Sequence, residues 1–332
     1  MAKLIATFLI TPTFPFVVEC KDGEEYSYSF NDDEYGVKIN LPLMEGSPKS
    51  GRVGSDLYKQ LVEEVEIILS KEVEHIPEIP INENGGRDLY KVSSFYHGIK
   101  DGYSERAERY YQRLIRFLKY DLRQPFQDDE NINKDQFSNP SWSDDKGNIF
   151  GVISHIHHVQ PVPGMDGDVL GAETLKTSHS QIVEQCFKAA KDIELYQEIL
   201  SDAQAAIFNE DLRRAIFEMA IVCELSTKRK YFSEGGISGL AFDFFEDKGK
   251  IKITVLELIS TVGAEALGES FKTKSPDDFK NIDYLFRCRN KVAHRGKALF
   301  KNYSGATVEP DLEMIKGWYK SVESLLQWLS SK

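Results

Sequence analysis

The 332-residue chain contains no run of about 18 apolar residues, which argues against a membrane-spanning helix and a membrane partner. Cysteine is scarce. Cys20, Cys186, Cys223 and Cys288 are scattered and form no C-x-x-C pair, so they suit reduced thiols in a cytoplasmic protein rather than a disulfide frame or a zinc site. The glycine-rich stretch Gly235-Gly236-Ile237-Ser238-Gly239 is not followed by the Lys-Ser/Thr that completes a phosphate loop. No internal repeat or low-complexity tract occurs. The opening MAKLIATFLITPTF has one lysine, a short apolar stretch and no small-residue cleavage site, so it predicts a first strand rather than a signal peptide. Positive charge is also in deficit. Against 53 acidic residues stand 41 basic ones, a net −12 that disfavours broad, non-specific binding to nucleic acid.

The chain is long enough for two cores, and its 41% hydrophobic and 28% charged residues suit a globular protein. Its charge is uneven. Residues 1–190 carry 31 acidic and 20 basic side chains, whereas residues 191–332 carry 22 and 21. A basic site in the second half therefore stands out against a nearly neutral background.

The first forty residues predict strands at Leu4–Ile10, Phe16–Glu19, Tyr26–Phe30 and Val37–Leu41, and residues 45–54 read as a loop. From Ser55 the apolar residues Leu57, Leu61, Val65, Ile68 and Leu69 share one stripe, opposite Glu63, Glu64 and Glu66, predicting an amphipathic helix. A second helix is predicted from Glu105 to about Leu122, capped by Ser104, with Leu114, Ile115 and Leu118 on its apolar side. Phe16, Tyr110 and Tyr111 read as core residues. Residues 123–148 are polar and read as a loop, before a short β stretch at Ile149–Val159.

After Gly171 the pattern becomes helical. Glu173 to Phe208 predicts one helix or two in series, and Asn209 is placed as the cap of the next, which runs through Met219 to Leu225. Ile253–Leu267 is helical with a weak point at Gly263. Ser275-Pro276-Asp277-Asp278 is a strong helix start, with a serine cap, proline in the first turn and two carboxylates at the positive dipole end. That helix is predicted to reach His294 and stop near Gly296, and a last one to span about Asp311–Leu329. The expected fold class is α+β: a mixed β/α domain over residues 1–170 and an all-α bundle over residues 171–332.

Five basic residues, Arg287, Arg289, Lys291, Arg295 and Lys297, and His294 fall within eleven positions of the Ser275 helix. At 100° per residue Asp283, Arg287, Asn290 and His294 lie along one polar face, while Arg289 lies about 140° from His294. A straight helix does not converge the two, so either its end is distorted or a second chain completes the site. A histidine can shuttle protons, an arginine can hold a phosphate and stabilise its developing charge, and Asn290 can orient the imidazole or the ligand. With RNA the 2′-hydroxyl supplies the nucleophile, so one base and one cation suffice without a metal. The bland explanation is cations gathered at a helix C-terminus by its dipole.

Arg289-Asn290-Lys291-Val292-Ala293-His294 resembles the R-x4–6-H motif of the HEPN superfamily. The helix bearing Arg213 and Arg214 upstream and the closing amphipathic helix downstream resemble its context. RNKVAHRG is similar to the Apea-like HEPN branch of prokaryotic defence and toxin proteins, over about residues 190–332; Arg295 stands where many relatives carry glycine. The resemblance implies a dimeric helical bundle and a metal-independent endoribonuclease, needing no cofactor, that leaves a 2′,3′-cyclic phosphate. It implies Arg289, His294 and Asn290 as catalytic residues, supported by Asp283, with Arg287, Lys291, Arg295 and Lys297 as RNA contacts. Residues 1–170 would then sense a regulatory ligand or protein. The alternative is a non-catalytic HEPN dimerisation or nucleotide-binding module acting on a partner protein.

Three further features compete. His155 and His157 of the His155-Ile156-His157-His158 run would share a strand face and could hold a metal with Asp166 or Asp168, but the spacing is not diagnostic and solvated or hydrogen-bonded histidines on an edge strand are the stronger explanation. Lys228-Arg229-Lys230 is a dipole-compensating run or an extended RNA surface, and Glu224 is a surface carboxylate or a support for the cleft.

Overall fold

The computed structural model describes residues 1–21, 25–42, 50–52, 58–83, 85, 88–149, 172–232 and 253–332. His155, His157, His158, Asp166, Asp168 and the Ser233–Gly239 loop lie outside the described residues. The chain divides into two compact units, Met1–Asp192 and Ile193–Lys332. The first is built on antiparallel sheet and the second is helical, an α+β arrangement. Among the described residues no helix is long and apolar enough to cross a membrane.

In the first unit a five-stranded antiparallel sheet has the order β3 (Tyr26–Asp32), β4 (Tyr35–Leu41), β7 (Val65–Val73), β1 (Ala2–Ile10), β8 (Ser141–Asp144). A smaller sheet contains β5 (Ser50–Arg52), β6 (Tyr58–Val62), β2 (Phe16–Cys20) and β9 (Leu175–Lys176), the last pairing parallel to β2. Alternation decides which face is buried: Leu4, Ala6, Phe8 and Ile10 of β1 and Val65, Ile67 and Leu69 of β7 point inward. Helix α1 (Ser93–Arg116) covers that face with Tyr103, Ala107, Tyr110, Leu114 and Ile115. Tyr103 packs edge-on against Tyr35 at 5.0 Å and Trp142 at 5.1 Å. Helix α2 (Ser180–Lys188) buries Val183 and Phe187 in the same core, and Phe187 stacks on Phe30 at 6.0 Å.

The structure corrects several expectations. Residues 58–73 are β6 and β7, not a helix. Val65 and Leu69 are four apart, a spacing close to one helical turn that is also an even number of strand residues. The deciding signal was Ile67, which is fully buried, whereas Ile68 is only partly covered. Ser104 lies inside α1 rather than capping it and donates to the Phe137 carbonyl at 2.7 Å. Residues 123–148 hold a short 3₁₀ turn (Lys134–Phe137) and β8, and only Ile149 of the next expected strand is described, bridging Ser143.

In the second unit α3 (Leu195–Phe208) and α4 (Leu212–Tyr231) form a helical hairpin. The cap of α4 is Asp211, which accepts from the Arg214 N–H at 3.2 Å, not Asn209. Short helical segments span Val255–Glu257, Leu258–Val262, Gly263–Leu267 and Phe271–Lys274. Gly263 is required by close packing, because a Cβ there would meet the Leu258 carbonyl at 3.1 Å and the Trp328 ring at 3.2 Å. Helices α5 (Pro276–Arg295) and α6 (Leu312–Ser330) pack on each other and on α4. Asp278 fixes their register, accepting from the Ser321 and Ser324 hydroxyls, each at 2.8 Å.

If β7 is a strand, Ile67→Ala is expected to cost about 2–5 kcal/mol and Ile68→Ala clearly less, measured by urea unfolding. Equal losses would instead fit the helical stripe.

Candidate functional site

Helix α5 supplies most of the candidate residues. It starts on Pro276 with Asp277 and Asp278 in its first turn, although Ser275 makes no side-chain cap bond. It runs unbroken to Arg295 and ends at Gly296, whose φ of 64° is costly for a residue with a Cβ. Ile282, Leu285, Cys288 and Val292 are buried on its inner face. Burial lifts the thiols of Cys288, to about 12, and of Cys223 on α4, so neither suits a nucleophile.

Arg289 and His294 therefore occupy one continuous helix, about 140° and 7.5 Å of rise apart by ideal geometry. The same geometry orders the arc between them as Arg289, Ala293, Phe286, Asn290, His294. Asn290, Ala293 and His294 are exposed and Phe286 is partly covered. At one edge of the arc Arg289 pairs with Glu224 of α4 and donates to Asn290 Oδ1 at 3.3 Å. Its guanidinium carbon lies 5.7 Å from the centre of the Phe286 ring. At the other edge His294 is exposed, one turn beyond Asn290. Asn290 thus touches Arg289 and shares a face with His294.

The other predicted residues separate into two groups. Asp283 is buried and binds Arg287 through two bonds, Nε to Oδ1 at 3.0 Å and Nη2 to Oδ2 at 2.7 Å. Arg287 also donates to the Lys301 carbonyl at 3.1 Å, so its fork is engaged within the fold and Asp283 serves Arg287 rather than Arg289. Lys291, Arg295 and Lys297 have no ion-pair partner among the described residues, and Arg295 and Lys297 are exposed. The sequence left the role of Glu224 open; its contact with Arg289 joins α4 to α5 across 65 residues of chain, which no local spacing foretells. Of the Lys228-Arg229-Lys230 run, Arg229 is tied to Glu194 at 2.6 Å.

Past Gly296 a short hairpin, β10 (Phe300–Lys301) and β11 (Thr307–Val308), folds back on α5. Phe300 packs 4.8 Å from Tyr284 and 5.5 Å from Trp318. Burial, and then the facing Asp283 carboxylate, holds the Tyr303 phenol above its usual pKa.

No protein-family model, no curated protein and no solved structure matches the chain.

Because Asp283 joins the hairpin to α5 through Arg287, Asp283→Ala is expected to cost about 1–3 kcal/mol in urea unfolding. Limited proteolysis should then cut between residues 302 and 306 sooner than in the wild type.

Proposed function

We propose that the chain is a metal-independent endoribonuclease of the HEPN type, acting as a homodimer, with Arg289, Asn290 and His294 as its catalytic group. The observation that carries this reading is the solvent-facing arc of α5, with a held guanidinium at one edge and an exposed imidazole at the other. Lys291, Arg295 and Lys297, which have no ion-pair partner among the described residues, supply the local positive field that an RNA backbone requires in a chain of net −12.

In the proposed reaction neutral His294 takes the proton of a ribose 2′-hydroxyl, and the 2′-oxygen attacks the adjacent phosphorus. The new P–O2′ bond closes a 2′,3′-cyclic phosphate as the P–O5′ bond breaks; the departing 5′-oxygen takes a proton from solvent, and the His294 imidazolium returns its proton to solvent. Arg289 stabilises the charge on the non-bridging oxygens during the displacement. Asn290 lies between the two groups and aligns the phosphate with the imidazole.

The arc also supports a dimer. Its centre is small or apolar, Ala293 and Phe286, and its edges are the reactive groups. On α4, Arg213, Phe217, Ile221 and Glu224 recur at 4, 4 and 3 residues and form one stripe, on which Ile221 is 39% exposed. Two copies meeting over these faces would bring one Arg289 to the partner's His294. The first unit is the regulatory part in this reading, open to a ligand or protein trigger, and the family branch suggests a defence or toxin role. The engaged state of Arg289 is also compatible with the second reading, a non-catalytic module that regulates a partner.

Purified protein incubated with total RNA in EDTA is expected to release 2′,3′-cyclic phosphate ends, and Arg289→Ala or His294→Ala to abolish them without unfolding the chain. Mixing the two inactive variants should restore roughly a quarter of wild-type cleavage, because half of the dimers then carry one intact composite site. Cleavage retained in both variants defeats the assignment; no recovery on mixing defeats the shared site. Absence of any wild-type cleavage leaves the non-catalytic module.

A further inference from the structure

Tyr303 is 57% exposed, large and aromatic, yet it sits in a rigid turn rather than a loose one. Asn302 locks that turn: its Oδ1 accepts from the Ala306 N–H at 2.9 Å and the Ser304 hydroxyl at 2.7 Å. Its own N–H donates to the Ala306 carbonyl at 3.0 Å, and Gly305 completes the reversal with φ at 85°. The Tyr303 ring is also braced by its neighbours. Arg287 lies over it at 5.0 Å, fixed in turn by Asp283, and Tyr284 leans on it at 5.2 Å. The Tyr303 N–H also meets the Tyr284 hydroxyl at 3.3 Å. Lys280, exposed, hangs 6.0 Å from the same ring. A ring held by these neighbours and still more than half exposed offers surface to solvent, already oriented.

We propose that Tyr303 is a base-stacking site for single-stranded RNA, with Lys280 lending positive charge beside it. It rests on the reading of this unit as an RNA-binding bundle and adds the position at which an unpaired base is held. Exposed aromatics interleaved with cations bind single strands because every base offers a π-face and the cations follow the phosphates. A preset ring spends little conformational entropy on binding. The placement also suits the arc. Tyr284, beneath the turn, and His294 lie ten residues apart on α5, about 15 Å along its axis, so a strand running beside the helix can meet both. A duplex, with its bases stacked and paired, could not use the ring.

The test is direct binding of a fluorescent 2′-O-methyl oligonucleotide, which lacks the attacking hydroxyl and so reports binding without cleavage. Tyr303→Ala is expected to weaken binding by roughly fivefold to a hundredfold. Tyr303→Leu, which keeps apolar bulk, should weaken it similarly, while Tyr303→Trp should hold it near wild type. A series with a single abasic position moved along the oligonucleotide should contain one position that abolishes the difference between wild type and Tyr303→Ala. Unchanged affinity in Tyr303→Leu, or no binding by the wild type, overturns the proposal and leaves the exposed ring to a protein partner. Tyr303-dependent binding without cleavage of natural RNA would retain the stacking site and sink the ribonuclease reading. Cleavage with Tyr303-independent binding would do the reverse.

Discussion

The continuity of α5 is the constraint on which the candidate site depends. Pro276, Asp277 and Asp278 start a helix that runs without a break to Gly296, and every polar residue on it is assigned a direction by that regularity. The inner face must bury Ile282, Leu285, Cys288 and Val292, which pack with α4 and α6. Once that face is fixed, Arg289 turns to Glu224 on α4, Asp283 and Arg287 turn to the hairpin, and His294 is left to solvent. A kink of one residue would redistribute all of these.

The same geometry divides the basic cluster by function. A helix C-terminus attracts cations, and dipole compensation alone would account for five of them. It would not account for their differing engagements. Arg287 is held by Asp283 and the Lys301 carbonyl, and so braces the hairpin. Arg289 is held by a carboxylate on another helix. Both partners of that second pair stay partly exposed, so it adds little to stability and its consequence is positional. Lys291, Arg295 and Lys297 have no ion-pair partner among the described residues. The patch is basic for three reasons at once, and only the last two engagements bear on a phosphate.

The helical unit was more legible in sequence than the sheet. Its helices carry apolar residues at three and four spacings over long spans, with explicit ends at Pro276 and Gly296, so period and boundary agree there. In the first unit the stretch Val65-Glu66-Ile67-Ile68-Leu69 offers both periods within five residues. Its β-branched content and the inward Ile67 favour a strand, but that preference is decided by pairing with β1, sixty residues earlier. The pairing of Asp283 with Arg287 was available from their i, i+4 spacing. The pairing of Arg289 with Glu224 was not, because it depends on how α4 packs on α5. Residues on one helix could thus be placed by counting, and contacts between helices could not.

The arc on α5 also limits how two copies could share one phosphate. Its edges differ, arginine on one side and histidine on the other, so the sense of pairing matters. With a two-fold axis lying in the interface perpendicular to the helices, like edges would meet, Arg289 against Arg289, and two guanidinium charges would repel. With the axis running along the helices, each Arg289 edge would lie across from the partner's His294 edge, and two equivalent sites would form. Ala293 and Phe286 at the centre of the arc allow that approach, because neither sets a charge against its own copy. A shared site therefore requires the two α5 helices to run in broadly the same sense, and an antiparallel pairing over this face would leave arginine and histidine apart.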